Sequence, residues 1–172
     1  VENNAVCGIR ADSAGEVKIN NSTIRGNACG IHAAHARLEV KNSMIYGNNR
    51  GINLEGQSNA SLIRNNTMVN NTAYGINVDR DSIAPVVVNC IIRNSNIALQ
   101  NCTASYSCYP GASGNGNIDG DPRFFNPGNN DFRLAVDSPC FNAGDAGLNY
   151  TGETDYDGSI RTELGRVDIG AD

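Results

Sequence analysis

Eight positions in the first half of the chain recur at a steady spacing, and all but Ala34 carry side chains suited to binding or transforming polar ligands. Arg10, His32, Asn53 and Asn77 each stand two residues after a glycine. Asp12, Ala34, Glu55 and Asp79 stand two residues further on. If these segments are neighbouring strands, about 4.8 Å apart, Glu55 and Asp79 lie about that far apart on one sheet face. Two carboxylates at roughly 5–5.5 Å are the pair of a retaining glycosidase. Such oxygens also suit Ca²⁺. The plainer alternative is a solvated polar face that performs no reaction. Elimination from a uronate needs a base beside a neutralised carboxylate. The stripe offers only Arg10 and His32 for that, and neither is expected beside the acidic pair. His32 and His35, three residues apart, are expected to face different ways and so form no metal pair.

The spacing comes from a repeat. Gly8, Gly30, Gly51 and Gly75 each precede an isoleucine, and Asn21, Asn42, Asn65 and Asn89 recur in a second signature. The glycine steps are 30−8 = 22, 51−30 = 21 and 75−51 = 24. A period just above twenty is that of a solenoid, in which no unit buries its apolar face alone. Within each unit apolar residues alternate over a few positions, which predicts short strands rather than helices. Leucine is scarce, and β-branched residues hold the inward positions. Glycine to asparagine takes 13, 12, 14 and 14 residues, whereas asparagine to the next glycine takes 9, 9 and 10. One side of the coil therefore absorbs insertions and the other is nearly fixed. Parallel crossovers are right-handed in nearly all cases, so the predicted fold is all-β: a right-handed parallel β-helix of four to five rungs. Ile9, Ile31, Ile52 and Ile76 should form one inward stack, and Ile24, Ile45, Met68 and Ile92 another. The recurring asparagines tolerate a left-handed corner and are expected to stack as an internal amide ladder.

The rungs are expected over residues 1–101. After Asn101 the pattern dissolves into a turn-rich loop, and residues 102–172 form an irregular end piece expected to pack on the last rungs. Val1 enters in mid-pattern without an initiator Met, as in a mature or excised piece of a larger protein. No cap precedes the first rung, so its strand edges invite end-on self-association. A net charge of −5 argues against nucleic acid and anionic membranes as partners. No apolar run approaches the ~20 residues that span a bilayer, so no membrane insertion is expected.

The end piece carries a resemblance. Gly116-Asn117-Ile118-Asp119-Gly120-Asp121-Pro122-Arg123-Phe124, then Asp137-Ser138-Pro139-Cys140-Phe141-Asn142-Ala143-Gly144-Asp145, then Asp155-Tyr156-Asp157-Gly158 and Val167-Asp168-Ile169-Gly170 occur in order. Together with Tyr106-Ser107-Cys108, they are similar to the closing motifs of bacterial β-helix repeat proteins. These are the pectin-lyase-like proteins with a choice-of-anchor Q domain. Asn142 departs from that pattern, which has Asp there. The resemblance implies secretion or surface display and no single reaction. Asp155 and Asp157 also resemble weakly the start of a Ca²⁺ loop, with Arg161 or turn amides as the alternative partners of Asp157.

Six cysteines in such a chain suggest an oxidising compartment. Cys7 and Cys29 occupy one position of adjacent rungs, within reach of a disulfide or an unbonded thiol stack. Cys108 and Cys140 lie in the two family-like elements, where a bridge would tie the end piece to the last rung. Cys90 and Cys102 are the remaining pair. Three functions are left. The first is a secreted or surface-displayed, non-catalytic module turned toward carbohydrate through Arg10, His32, Asn53 and Asn77. The second is a polysaccharide lyase or glycoside hydrolase using Glu55 and Asp79. The third is a structural spacer.

Overall fold

Each repeat folds into three short strands joined by sharp corners. The first coil is β1 (Cys7–Asp12), β2 (Glu16–Asn20) and β3 (Thr23–Arg25), and the second is β4 (Cys29–Ala34), β5 (Arg37–Lys41) and β6 (Met44–Tyr46). The third is β7 (Arg50–Glu55), β8 (Leu62–Arg64) and β9 (Thr67–Val69). The fourth is β10 (Tyr74–Val78), β11 (Val86–Val88) and β12 (Ile91–Arg93). A fifth begins with β13 (Ile97–Gln100) and β14 (Ala104–Ser105), and the tail adds the antiparallel pair β15 (Phe124–Asn126) and β16 (Asp131–Leu134). The computed structural model describes residues 1–13, 15–56, 59–163 and 165–172. Equivalent strands stack in parallel into three sheets, β1-β4-β7-β10-β13, β2-β5-β8-β11-β14 and β3-β6-β9-β12. This is a parallel β-helix of about four turns.

The expected inward stacks are present. Ile9, Ile31, Ile52, Ile76 and Leu99 are in register through the first sheet. Ile24, Ile45, Met68 and Ile92 are in register through the third. All but the end residues Ile9 and Leu99 are fully buried. The glycine column has a steric cause: a Cβ on Gly51 would stand 2.5 Å from the Gly75 carbonyl oxygen of the next rung.

The amide ladder lies elsewhere than expected. Asn21, Asn42, Asn65 and Asn89 do hold the left-handed corners, at φ of 46°, 49°, 54° and 53°. That conformation turns the next residue inward instead. The Ser22 amide donates to Ser43 Oγ at 3.2 Å and the Ser43 amide to Asn66 Oδ1 at 3.0 Å. A second, more regular column runs through Asn4, Asn27, Asn48 and Asn71. Each Oδ1 from Asn27 onward takes the previous residue's side-chain amide at 3.0 Å and its backbone N–H at 2.9–3.2 Å. Asn48→Ala takes the shared acceptor from the Asn27 backbone and side-chain donors and removes the Nδ2 donor to the Ile24 carbonyl, while Asn71 Oδ1 keeps the residue-48 backbone N–H. Each buried group left without a partner costs roughly 1–3 kcal/mol. Urea denaturation should show a lowered midpoint, and an unchanged one would show that the column carries no stability.

The tail does not sit only on the last rungs. It runs back along the outer face of the third sheet, where Phe132 and Ala171 pack on Met44 and Val69, and Cys140 and Ile169 pack on Ile91 and Cys108. Phe132 meets Tyr46 and Phe124 edge-on, with centroids 5.2 and 5.3 Å apart. The tail reaches the first coil, where Asn21 donates to Thr154 Oγ1 at 3.1 Å and Tyr156 Oη meets Thr23 Oγ1 at 2.6 Å. Alternation explains the direction. Met44, Val69 and Ile91 are apolar on the side facing away from the core, so this sheet needs a cover. Along the adjoining corner Glu153 pairs with Arg64 and Lys41, and Asn89 donates to Tyr150 Oη.

Candidate functional site

The polar stripe of the first sheet lies on the opposite side of the strands from the isoleucine stack, because successive side chains alternate. Arg10, His32, Asn53, Asn77 and Gln100 stand in register over five strands. Three of them are joined by hydrogen bonds. Asn77 Nδ2 donates to Asn53 Oδ1 at 2.7 Å. Asn53 Nδ2 donates to Glu55 Oε1 at 2.8 Å and approaches His32 Nδ1 at 3.2 Å. With Nδ1 as the acceptor, the proton of a neutral His32 sits on Nε2. Nε2 lies 3.9 Å from Glu55 Oε2. Asn53 is 1% exposed, held between these neighbours.

Glu55 and Asp79 are next to each other in the stack, since the Asp79 amide donates to the Leu54 carbonyl at 2.9 Å. Their carboxylates, however, turn to different partners. Glu55 folds toward Asn53 and His32, while Asp79 Oδ1 accepts from the Arg80 backbone N–H at 2.8 Å. The sequence-based expectation that no base stands beside the acidic pair is corrected here, because His32 stands beside Glu55. The register explains it. Glu55 pairs with Ala34, which is too small to hold the carboxylate upright, so it leans back toward His32. Arg10 is drawn off by Asp12, with Nε to Oδ2 at 2.7 Å. That hydrogen bond, and then the carboxylate's charge, raises the Arg10 pKa.

Beside the amide chain lies an open cleft of about 510 Å³. Glu55, Tyr74, Asn77, Asp79, Arg80 and Gln100 are among its lining residues. Sequence reasoning singled out Glu55, Asn77 and Asp79. It missed Gln100, although counting one more rung from Asn77 finds it, and Arg80, which sits in a turn outside the repeat. His35 is remote in role: it takes a left-handed corner, and its Nδ1 lies 3.0 Å from the Gly56 carbonyl. Among the described residues no three His, Cys, Asp or Glu side chains are grouped to hold a metal ion. Asp155 and Asp157 both accept from the Ser159 amide, at 2.8 and 3.3 Å, and so close a turn. Arg161 instead donates to the carbonyls of Asp168, Gly170 and Asp172. Burial, and then the neighbouring Asp157, raises the Asp155 pKa to about 6.

All six cysteines are free thiols, so none of the three expected bridges is formed. Cys7 and Cys29 are register partners, and burial followed by the Cys7 charge pushes the Cys29 thiol up to about 12. Cys90 and Cys102 do not turn to each other. The Cys90 thiol donates to the carbonyls of Val88 at 3.3 Å and Ile63 at 3.5 Å, because it points into the coil. Burial pushes both Cys90 and Cys102 up to about 12. Cys108 and Cys140 do come together, packed in one buried cluster with Ile91 and Ile169.

Comparison with protein families adds one finding. The family described as a right handed beta helix region matches residues 1–121. The chain belongs to this right-handed beta-helix family. The match takes in all five strands of the polar stripe and stops before most of the tail. No curated protein and no solved structure matches the chain. Membership supports, in general terms, a carbohydrate-related or surface role for this β-helix. Its open face supplies amide donors and acceptors, one imidazole, one guanidinium and the three carboxylates of Asp12, Glu55 and Asp79. These groups hydrogen-bond hydroxyls well, and among the described residues of this face the His32–Glu55 pair has the makings of acid–base chemistry.

Proposed function

We propose that this β-helix is a non-catalytic carbohydrate-binding module, secreted or displayed on a cell surface, that holds an extended saccharide along the Arg10–Gln100 stripe. The observation that carries this reading is the Asn77–Asn53–His32/Glu55 hydrogen-bond chain beside the cleft. Rungs recur at about 4.8 Å, so a chain laid along the stack meets an equivalent polar side chain at each step. The chain also pre-orients those groups, which lowers the entropic cost of ordering them on binding. Tyr74 adds a half-buried ring at the cleft edge. The tail's likeness to pectin-lyase-like bacterial proteins with a choice-of-anchor Q domain supports display outside the cell. A glycan array followed by titration calorimetry tests the proposal. Binding to at least one polysaccharide is expected, and Asn77→Ala should weaken it roughly three- to tenfold, the worth of one or two hydrogen bonds. Retention of no glycan, or binding indifferent to Asn77, would overturn it.

The 3.9 Å approach of His32 Nε2 to Glu55 Oε2 favours a second reading, a polysaccharide lyase, while the separate partners of Glu55 and Asp79 take away the carboxylate pair a glycoside hydrolase needs. The lyase reading differs in outcome: array hits incubated with the protein would gain unsaturated or reducing ends, and His32→Ala would abolish them.

A further inference from the structure

Two cysteines from distant parts of the chain pack in one buried cluster where the tail docks. Cys108 lies beside the last rung, bridged to Ile91 and Ile118, and its amide donates to the Cys90 carbonyl at 2.8 Å. Cys140 belongs to the tail and is fixed by Ser138 Oγ, which accepts from its amide at 3.1 Å, and by the Ile169 amide on its carbonyl at 2.9 Å. Both residues are fully buried, packed among Ile91, Ile118 and Ile169. Arg93, at the end of β12, reaches this pair. Its Nη2 is 3.4 Å from Cys108 Sγ, and its nearest carboxylate, Asp119, is 3.9 Å from Nη1. Its Nε is buried with no hydrogen-bond partner. The cation is therefore placed to stabilise negative charge on sulfur, and no carboxylate closely neutralises it. The same arginine lines an open cleft of about 420 Å³ with Asp121, Pro122 and Phe124.

We propose that Cys108 and Cys140 form a thiol–disulfide latch that fastens the tail to the β-helix, with Cys108 as the attacking thiol and Arg93 as its positioning cation. The co-reactant is a low-molecular-weight disulfide, and because both thiols are buried it is admitted when the tail opens locally beside Arg93. The Cys108 thiolate attacks one sulfur of that disulfide, whose S–S bond breaks and releases one small thiolate. Cys140 then gives up its proton and attacks the Cys108 sulfur of the mixed disulfide, releasing the second small thiol. Two protein thiols are oxidised and one small disulfide is reduced to two thiols. The groups that face the pair agree with these roles. The neighbouring Cys140 thiol first, then the Arg93 charge, outweigh burial and hold Cys108 down at about 7. Cys140 is driven up by the neighbouring Cys108 thiol and by burial. Cys29, Cys90 and Cys102 are all pushed up to about 12, so they are poor competitors.

The test uses the whole reduced chain, folded, with oxidised glutathione at pH 7, then acid quench, alkylation and peptide mapping. A Cys108–Cys140 linked peptide should form before any pairing of Cys90 or Cys102. The melting temperature should rise by roughly 5–10 °C as the loop is closed. Arg93→Gln should slow the reaction severalfold, and Cys140→Ser should trap glutathione on Cys108. Where either variant fails to fold, the wild-type map still decides. Recovery of Cys108 and Cys140 as unmodified thiols, or a first bond elsewhere, overturns the latch.

Discussion

Ile52→Ala lowers the stability of this β-helix by roughly 2–5 kcal/mol, the range for truncating a buried aliphatic side chain. Ile52 is 0% exposed and stands mid-column between Ile31 and Ile76. The neighbouring rungs are held by backbone ladders on either side, so they have little freedom to collapse into the cavity. Both the lost burial and the residual void therefore count. For a chain of this size each kcal/mol moves the melting temperature by about 2–4 °C, which scanning calorimetry resolves easily. Ile160, 79% exposed, is the control: its replacement by Ala should stay within about 0.5 kcal/mol. An unchanged melting temperature for Ile52→Ala would show that the rung register is wrong.

The second large effect is expected at the tail. Glu153→Gln removes the one carboxylate shared by Arg64 and Lys41, whose side chains are mostly buried. Breaking a buried pair in this way costs about 3–5 kcal/mol, because the Arg64 charge stays desolvated and uncompensated, whereas Lys41 keeps Glu39 at 3.1 Å. Arg64 has one further source of attraction, the Tyr150 ring at 5.0 Å, and it also donates to the Asn149 carbonyl at 3.2 Å. Neither neutralises its charge. The loss falls on docking and not on the coil, so limited proteolysis should cut within residues 141–165 while the rungs survive. The exposed Arg133–Asp131 pair offers the contrast, since breaking a surface pair costs about 0–1 kcal/mol. If both substitutions prove equally mild, Glu153 does not hold the tail.

The repeat by itself determined which residues are rung neighbours. A conserved backbone period places Ile9 over Ile31 and Arg10 beside His32 whatever the side chains do, because parallel strands in register stack position on position. The left-handed corners at Asn21, Asn42, Asn65 and Asn89 were legible for the same reason, since few residue types accept that conformation. Where side chains go after leaving the backbone was not legible. The corner geometry sends those asparagines away from the interior, and the ladder forms through Asn27, Asn48 and Asn71. Glu55 leans to His32 because its register partner is Ala34, a choice between rotamers that spacing does not encode. The tail has no period, so its path back to Thr23, its salt link at Glu153 and the meeting of Cys108 with Cys140 depended on which outward surface was apolar enough to need covering. Contacts between residues 32 to 134 positions apart arise only when the coil and the tail are both folded, and the tertiary structure alone decided them.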